Sequence, residues 1–192
     1  PTLLEMAFVG RLYEDEQMMG WAAEALSRKC KAANGRFHDR AGADHETPPG
    51  RGCVTALRDG ALTLDLLRPA LDDKRHGEIT GALYANGTRL AGFINDSRNN
   101  APAWISENGA LALGLTGLPL MGDDKYYANA KRWVDSAEQR ARALLESRVA
   151  DNGRPAASDL HGLMELMRFL LPFVQAFERY YGHDLLRGEG AN

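Results

Sequence analysis

The chain has 192 residues, 44% of them hydrophobic and 26% charged, a globular mix with enough length for one well-buried core. It contains no apolar run of about 18 residues that would span a bilayer, and a net charge of −3 argues against indiscriminate binding to duplex DNA through overall charge. Cys30 and Cys53 have no CxxC spacing, which suits reduced thiols rather than a disulfide framework or a cysteine metal site.

The opening segment, residues 2–13, reads two ways. Leu4, Met6, Phe8 and Leu12 alternate as in a strand, while Thr2 and Glu5 spell a capping box for a helix. The β-forming run MAFVGRL at 6–12 favours the strand. Residues 1–5 show neither a basic region nor an apolar stretch of the kind that opens a secretory leader. Asp15 is placed to cap a helix with Met18, Trp21, Ala22, Ala25 and Leu26 on one side, ending near Asn34 and Gly35. Residues 36–52, rich in Gly, Pro, His and Arg, read as a mobile surface loop.

Leu62, Leu64 and Leu66 alternate with Thr63 and Asp65, predicting a half-buried strand that stops at Pro69. A polar stretch at 72–77 leads into residues 77–105, where Asn86 and Gly87 between two alternating runs predict a hairpin with a type I′ turn. In that register Ile79, Leu83, Leu90 and Ile94 form a core face. Thr80, Tyr84, Arg89 and Phe93 form the other. Ala103, Trp104 and Ile105 read as a last strand, and the Gly- and Pro-containing stretch 109–122 as a passage to the helical part. From Asp123 or Asp124 onward, Tyr127, Ala130, Val134, Ala137, Ala141, Leu144 and Leu145 recur at helical spacing. A second helix begins near Ser158 and Asp159 and carries Leu160, Leu163, Met167, Leu170, Leu171, Val174 and Phe177 on one stripe, with Pro172 expected to kink or divide it.

The expected fold class is therefore α+β. A four- or five-stranded antiparallel curved sheet, or a small barrel, packs with an N-terminal helix and two C-terminal helices. The domains follow as a β-rich part over 1–108, with one inserted helix and the loop at 36–52, and a helical extension over 123–192.

Tyr84, Phe93 and Trp104 are candidates to stack on nucleobases, with Arg89, Arg98 and Lys74 for phosphate. Arg28, Lys29, Lys31, Arg36, Arg40 and Arg51 form a second basic group, also explained as ordinary solvated helix-end charge. The stripe Leu163, Met167, Leu170, Val174 and Phe177 is wide enough to dock a protein partner or a second copy, and equally fits an internal core. His38, Asp39, Asp44, His45 and Glu46 supply metal-ligand types without ligand spacing, so a solvated loop is the preferred reading. No catalytic residue, metal or cofactor is assigned, since nucleophile and phosphate-loop motifs are missing from the sequence.

The run at 6–12 resembles the opening strand of single-stranded DNA-binding OB-fold proteins. GALYANGTRLAGF at 81–93, followed by Trp104, Ile105 and Ser106, is similar to small β proteins of plasmids and conjugative elements. The resemblance spans residues 4–107 and implies a small barrel or curved sheet that binds single strands. The function expected is that of a non-enzymatic, cytoplasmic nucleic-acid-binding accessory protein of a bacterial mobile element. A protein–protein adaptor or inhibitor acting through the C-terminal helices, with a homo-oligomer as one form of it, is the alternative. A hydrolase using His38, Asp39 and His45 with a metal is the third reading. No membrane partner is expected.

Overall fold

Thr2 decides how the first segment folds. Its side-chain oxygen accepts from the Glu5 backbone N–H at 3.2 Å, and the Glu5 carboxylate accepts from the Thr2 N–H at 2.7 Å, so two donors that a helix start leaves unsatisfied are closed reciprocally. The segment is the helix α1, Leu3–Leu12, and not a strand. The computed structural model describes residues 2–32, 48–148, 160–182 and 185. Among these are seven α-helices and no strand. The expected α+β sheet or barrel, and with it the OB-like architecture, is corrected to an all-helical fold.

The chain divides into two compact units, Pro1–Ala101 and Pro102–Asn192. Unit 1 contains α1, α2 (Glu16–Ala32), α3 (Arg51–Leu67) and α4 (Asp73–Asn95). The helix α1 packs on α2 and α3, and α4 closes the unit against the same two. Most of the loop expected over 36–52 lies outside the described residues, and its last two residues open α3.

The residues read as strands carry a second periodicity. In α3, Val54, Leu57, Ala61, Leu64 and Leu67 recur at steps of three and four and are all buried, a helical face that extends well beyond the alternating Leu62, Leu64 and Leu66. In α4 the supposed strand face, Ile79, Leu83, Leu90 and Ile94, is also a helical face, because steps of four, seven and four return to one side of a helix. Ile79, Leu83 and Leu90 are fully buried. Asn86 and Gly87 make no turn. Asn86 is buried and donates through Nδ2 to the Ala82 carbonyl at 2.7 Å, and Gly87 is buried beside it. The helix starts where Asp72 accepts from the Arg75 N–H at 2.7 Å, inside the stretch read as a loop.

A polar latch joins α2 to α4. Ser27 Oγ donates to the Glu78 carboxylate at 2.9 Å, and Lys31 Nζ lies 3.0 Å from the same oxygen. Hydrogen bonds from Lys31 and then from Ser27 hold the Glu78 carboxyl below its usual range.

Unit 2 is built on α5 (Ala103–Leu120), packed against α6 (Asp124–Arg148) and α7 (Leu160–Tyr181). Trp104 and Ile105 open this helix instead of forming a last strand, and the stretch read as a passage is its most buried part. Every residue of 111–118 is buried. Two of its glycines, Gly114 and Gly117, are packing positions. A Cβ on Gly114 would lie 2.3 Å from the Ala137 Cβ and 2.6 Å from Phe173, and one on Gly117 would lie 2.7 Å from the Ala130 carbonyl oxygen. Pro172 sits inside α7 without ending it.

Two expectations follow from this packing. Gly117→Ala forces a methyl against main chain and should cost about 1–3 kcal/mol, whereas Gly92→Ala, in α4 with nothing within 4 Å of the new Cβ, should gain about 0.5–1 kcal/mol; chemical denaturation measures both. A carboxyl with a depressed folded-state pKa stabilises the fold above its unfolded value, near 4.5, and loses that contribution as pH falls through the folded value. Glu78→Gln should therefore destabilise most near neutrality, and its difference from the native chain should shrink as the pH drops below about 4.5 in melts run across the acid range.

Candidate interaction surface

Small residues turn one side of α1 into the protein. Ala7 and Gly10 are buried, and a Cβ at Gly10 would meet Met19 Cγ at 3.0 Å and the Met19 nitrogen at 3.2 Å, so α1 lies close on the start of α2. The connection is tight. Glu14 adopts a φ of 53°, the Asp15 N–H donates to the Gly10 carbonyl at 2.8 Å, and Asp15 Oδ1 accepts from the Met18 N–H at 3.0 Å to cap α2.

The other side of α1 is apolar and faces solvent. Phe8 is 55% exposed, Leu12 62% and Tyr13 75%, with Val9 at 37%. Phe8 with Leu12 and Val9 with Tyr13 are two neighbouring i,i+4 pairs, so these side chains form a continuous strip over two turns. Glu5 and Arg11 flank the strip in the first and last turns of the helix. On α2 the outward positions Gln17, Glu24 and Arg28 are exposed and polar, but Trp21 among them is also exposed, at 56%. Isolated exposed apolar side chains are ordinary, whereas contiguous ones mark contact surfaces.

The nucleic-acid candidates fall differently from the sheet arrangement. Tyr84 and Phe93 are half-buried on α4 and, nine residues or about two and a half turns apart, project from opposite sides of it. The shared face expected of them belonged to the hairpin. Arg89 lies one turn from Phe93 and is half-buried, its Nη2 reaching Cys53 Sγ of α3 at 3.7 Å. Arg98 follows α4 in a short 3-10 turn and grips Asp96 through Nε at 3.0 Å and Nη2 at 2.7 Å. Lys74 is exposed in the first turn of α4, within electrostatic reach of Glu78. Trp104 belongs to unit 2, where its ring meets Phe169 edge-on at 5.8 Å.

Of the C-terminal stripe, Leu170, Val174 and Phe177 are buried inside unit 2 and Met167 is half-buried, while the Leu163 side chain lies outside the described residues. Among the described side chains of α7, Met164 and Leu171 are exposed, at 56% and 45%, together with Tyr180 near its end. The cluster His38, Asp39, Asp44, His45 and Glu46 also lies outside the described residues, as do Arg36 and Arg40. Among the described residues no group of three His, Cys, Asp or Glu side chains could hold a metal ion, and no helix is long and apolar enough to cross a membrane.

A pocket of about 260 Å³ opens in unit 1 between the start of α1, Leu26 and Lys29 of α2, and Asp59, Gly60 and Thr63 of α3. It falls just below the usual size of ligand sites, and its Asp59 carboxylate is held by Arg58 at 2.7 Å. Burial pushes the nearby α2 thiol, Cys30, up to about 11, which keeps it protonated and weakly nucleophilic at neutral pH.

No family model matches the chain, and neither a curated protein nor a solved structure matches it. The exposed strip on α1 is thus read from its own geometry. Sequence reasoning passed over it because a strand puts Phe8 and Leu12 on the core side with Met6. The capping box carried the correction: once Thr2 and Glu5 start a helix, the small residues Ala7 and Gly10 mark the packed side and the large ones fall outside.

The burial pattern on α7 is checked by neighbouring substitutions. Leu170→Ala should cost about 2–5 kcal/mol as a core truncation, and Leu171→Ala should stay within about 0.5 kcal/mol of the native chain, both read from urea titrations.

Proposed function

We propose that this chain works by binding another protein, and that α1 is its contact element. The observation that carries this reading is the strip Phe8, Val9, Leu12 and Tyr13, exposed on a helix whose opposite side is fixed to the fold. Two turns of apolar surface with aromatic ends match the anchor pattern by which helices are recognised, at steps of one, three and four residues. Phe8 and Tyr13 offer large contact area at small cost in side-chain entropy. Trp21, exposed on α2, has the same character.

The single-stranded nucleic-acid reading has less behind it. Phosphate recognition needs cations that are not already engaged, and Arg98 sits on Asp96 at 2.7 Å while Arg89 turns to Cys53 Sγ at 3.7 Å. The adaptor alternative moves accordingly from the C-terminal stripe, whose central residues form core, to α1.

The test is photo-crosslinking with the full chain in cells. With p-benzoylphenylalanine in place of Leu12, irradiation should give one discrete adduct that is missing when the same group replaces Thr88, exposed on α4. Equal labelling from both positions, or none from either, would overturn the reading.

A further inference from the structure

The pocket of unit 1 gathers polar atoms that the fold itself does not use, and they carry both signs of charge. We propose that it binds a small zwitterion, an α-amino acid with a short aliphatic side chain, whose carboxylate meets Thr63, Lys29 and the start of α1 and whose ammonium meets Asp59.

Thr63 is the first observation. The buried threonines Thr63, Thr80 and Thr116 all lie inside helices, where a hydroxyl ordinarily donates back to a carbonyl one turn earlier. Thr80 does so to His76 at 2.9 Å and Thr116 to Ala112 at 2.8 Å. Thr63 is only 1% exposed, yet it makes no hydrogen bond among the described residues, and it lines the pocket. A hydroxyl so nearly buried is expected to have a partner, and the pocket is where one can reach it.

The start of α1 is the second. Its capping box closes the N–H groups of Thr2 and Glu5, and the Met6 N–H donates to the Thr2 carbonyl. The N–H groups of Leu3 and Leu4 are the donors left over at this helix end. Both residues line the pocket, and so does Lys29 of α2, an exposed residue that places a cation at the rim. Such donors at a helix start favour a carboxylate, and a cation beside them adds to the attraction.

Asp59 supplies the opposite charge. Arg58 reaches it through Nε at 2.8 Å and Nη2 at 2.7 Å, and both contacts end on Oδ1. Oδ2 has no partner among the described residues and is the acceptor for an ammonium. Asp59 and Thr63 are four residues apart on one face of α3, about 6 Å along its axis. The ammonium and carboxylate of a single α-carbon span that gap with a hydrogen bond at each end. The volume of about 260 Å³ admits roughly eight groups at about 30 Å³ each, the number of non-hydrogen atoms in valine, and Leu4, Leu26 and Ala56 give it an apolar lining.

Titration of the ¹⁵N-labelled full chain with L-valine, followed by amide shifts, tests the proposal. The shifts should centre on the lining residues Leu4, Gly60 and Thr63, with half-saturation at about 1 mM or below, an ordinary affinity for a ligand of this size. The compound without the ammonium, 3-methylbutanoate, and the one without the carboxylate, 2-methylpropylamine, should each bind at least about tenfold more weakly. Thr63→Val should be as stable as the native chain, since the hydroxyl it removes has no partner within the protein, yet bind valine about tenfold more weakly. Lys29→Gln should weaken valine by a similar factor and leave 2-methylpropylamine unchanged. The absence of a saturable shift at the pocket up to about 20 mM valine, equal affinity of the native chain and Thr63→Val, or 3-methylbutanoate binding as tightly as valine would each overturn the proposal.

Discussion

Helices in both units meet where a side chain is missing. Gly10 lets α1 descend onto Met19, and Gly114 and Gly117 let α5 lie against Ala137, Phe173 and the backbone at Ala130. Because these approaches are so close, the positions cannot take even a methyl without moving a neighbour, and packed interiors resist such movement. The buried face of α5 and the seating of α1 both depend on this. The tolerance differs between them: a Cβ at position 10 would ask Met19 to give by a few tenths of an ångström, whereas one at 114 or 117 would overlap its neighbours.

The same glycines explain why the fold was only partly legible in the sequence. Local rules treat Gly, Asn and Pro as punctuation, so Asn86 with Gly87 read as a turn and residues 109–122 as a linker. In the structure a buried Asn bonds to the carbonyl one turn back and the glycines lie between helices. Helix-forming signals were present throughout. The spacing of Ile79, Leu83, Leu90 and Ile94 satisfies a strand pair and a helix alike, and only the length of the segment and the cap at Asp72 separate the two. Where no Gly, Asn or Pro intervened, as along Ala130, Val134, Ala137 and Ala141 of α6, the helical period stood out directly, and each of those four is buried. The stripe on α7 was equally plain as a helix, but periodicity gives an apolar face without saying what covers it.

The short α1 sits near the limit of what a helix can sustain. Ten residues are too few for a helix to persist alone in water, and its inward side offers small buried residues, Ala7 and Gly10, with partly buried Leu3, Leu4 and Met6 around them. The capping box and the tight connection to α2 make up part of the difference. Phe8, Val9 and Leu12, side chains of the kind that ordinarily anchor such a helix to its own core, are on its outer side instead.

Cys30 and Cys53 are the two cysteines of the sequence, both lie in unit 1 and both are buried. With the Cys30 thiol held up to about 11, only about one molecule in ten thousand carries a thiolate there at neutral pH. Alkylation of the native chain therefore has to wait for unit 1 to open, and because unit 2 has no thiol of its own, the labelling rate reads the opening of one half of the molecule without interference from the other.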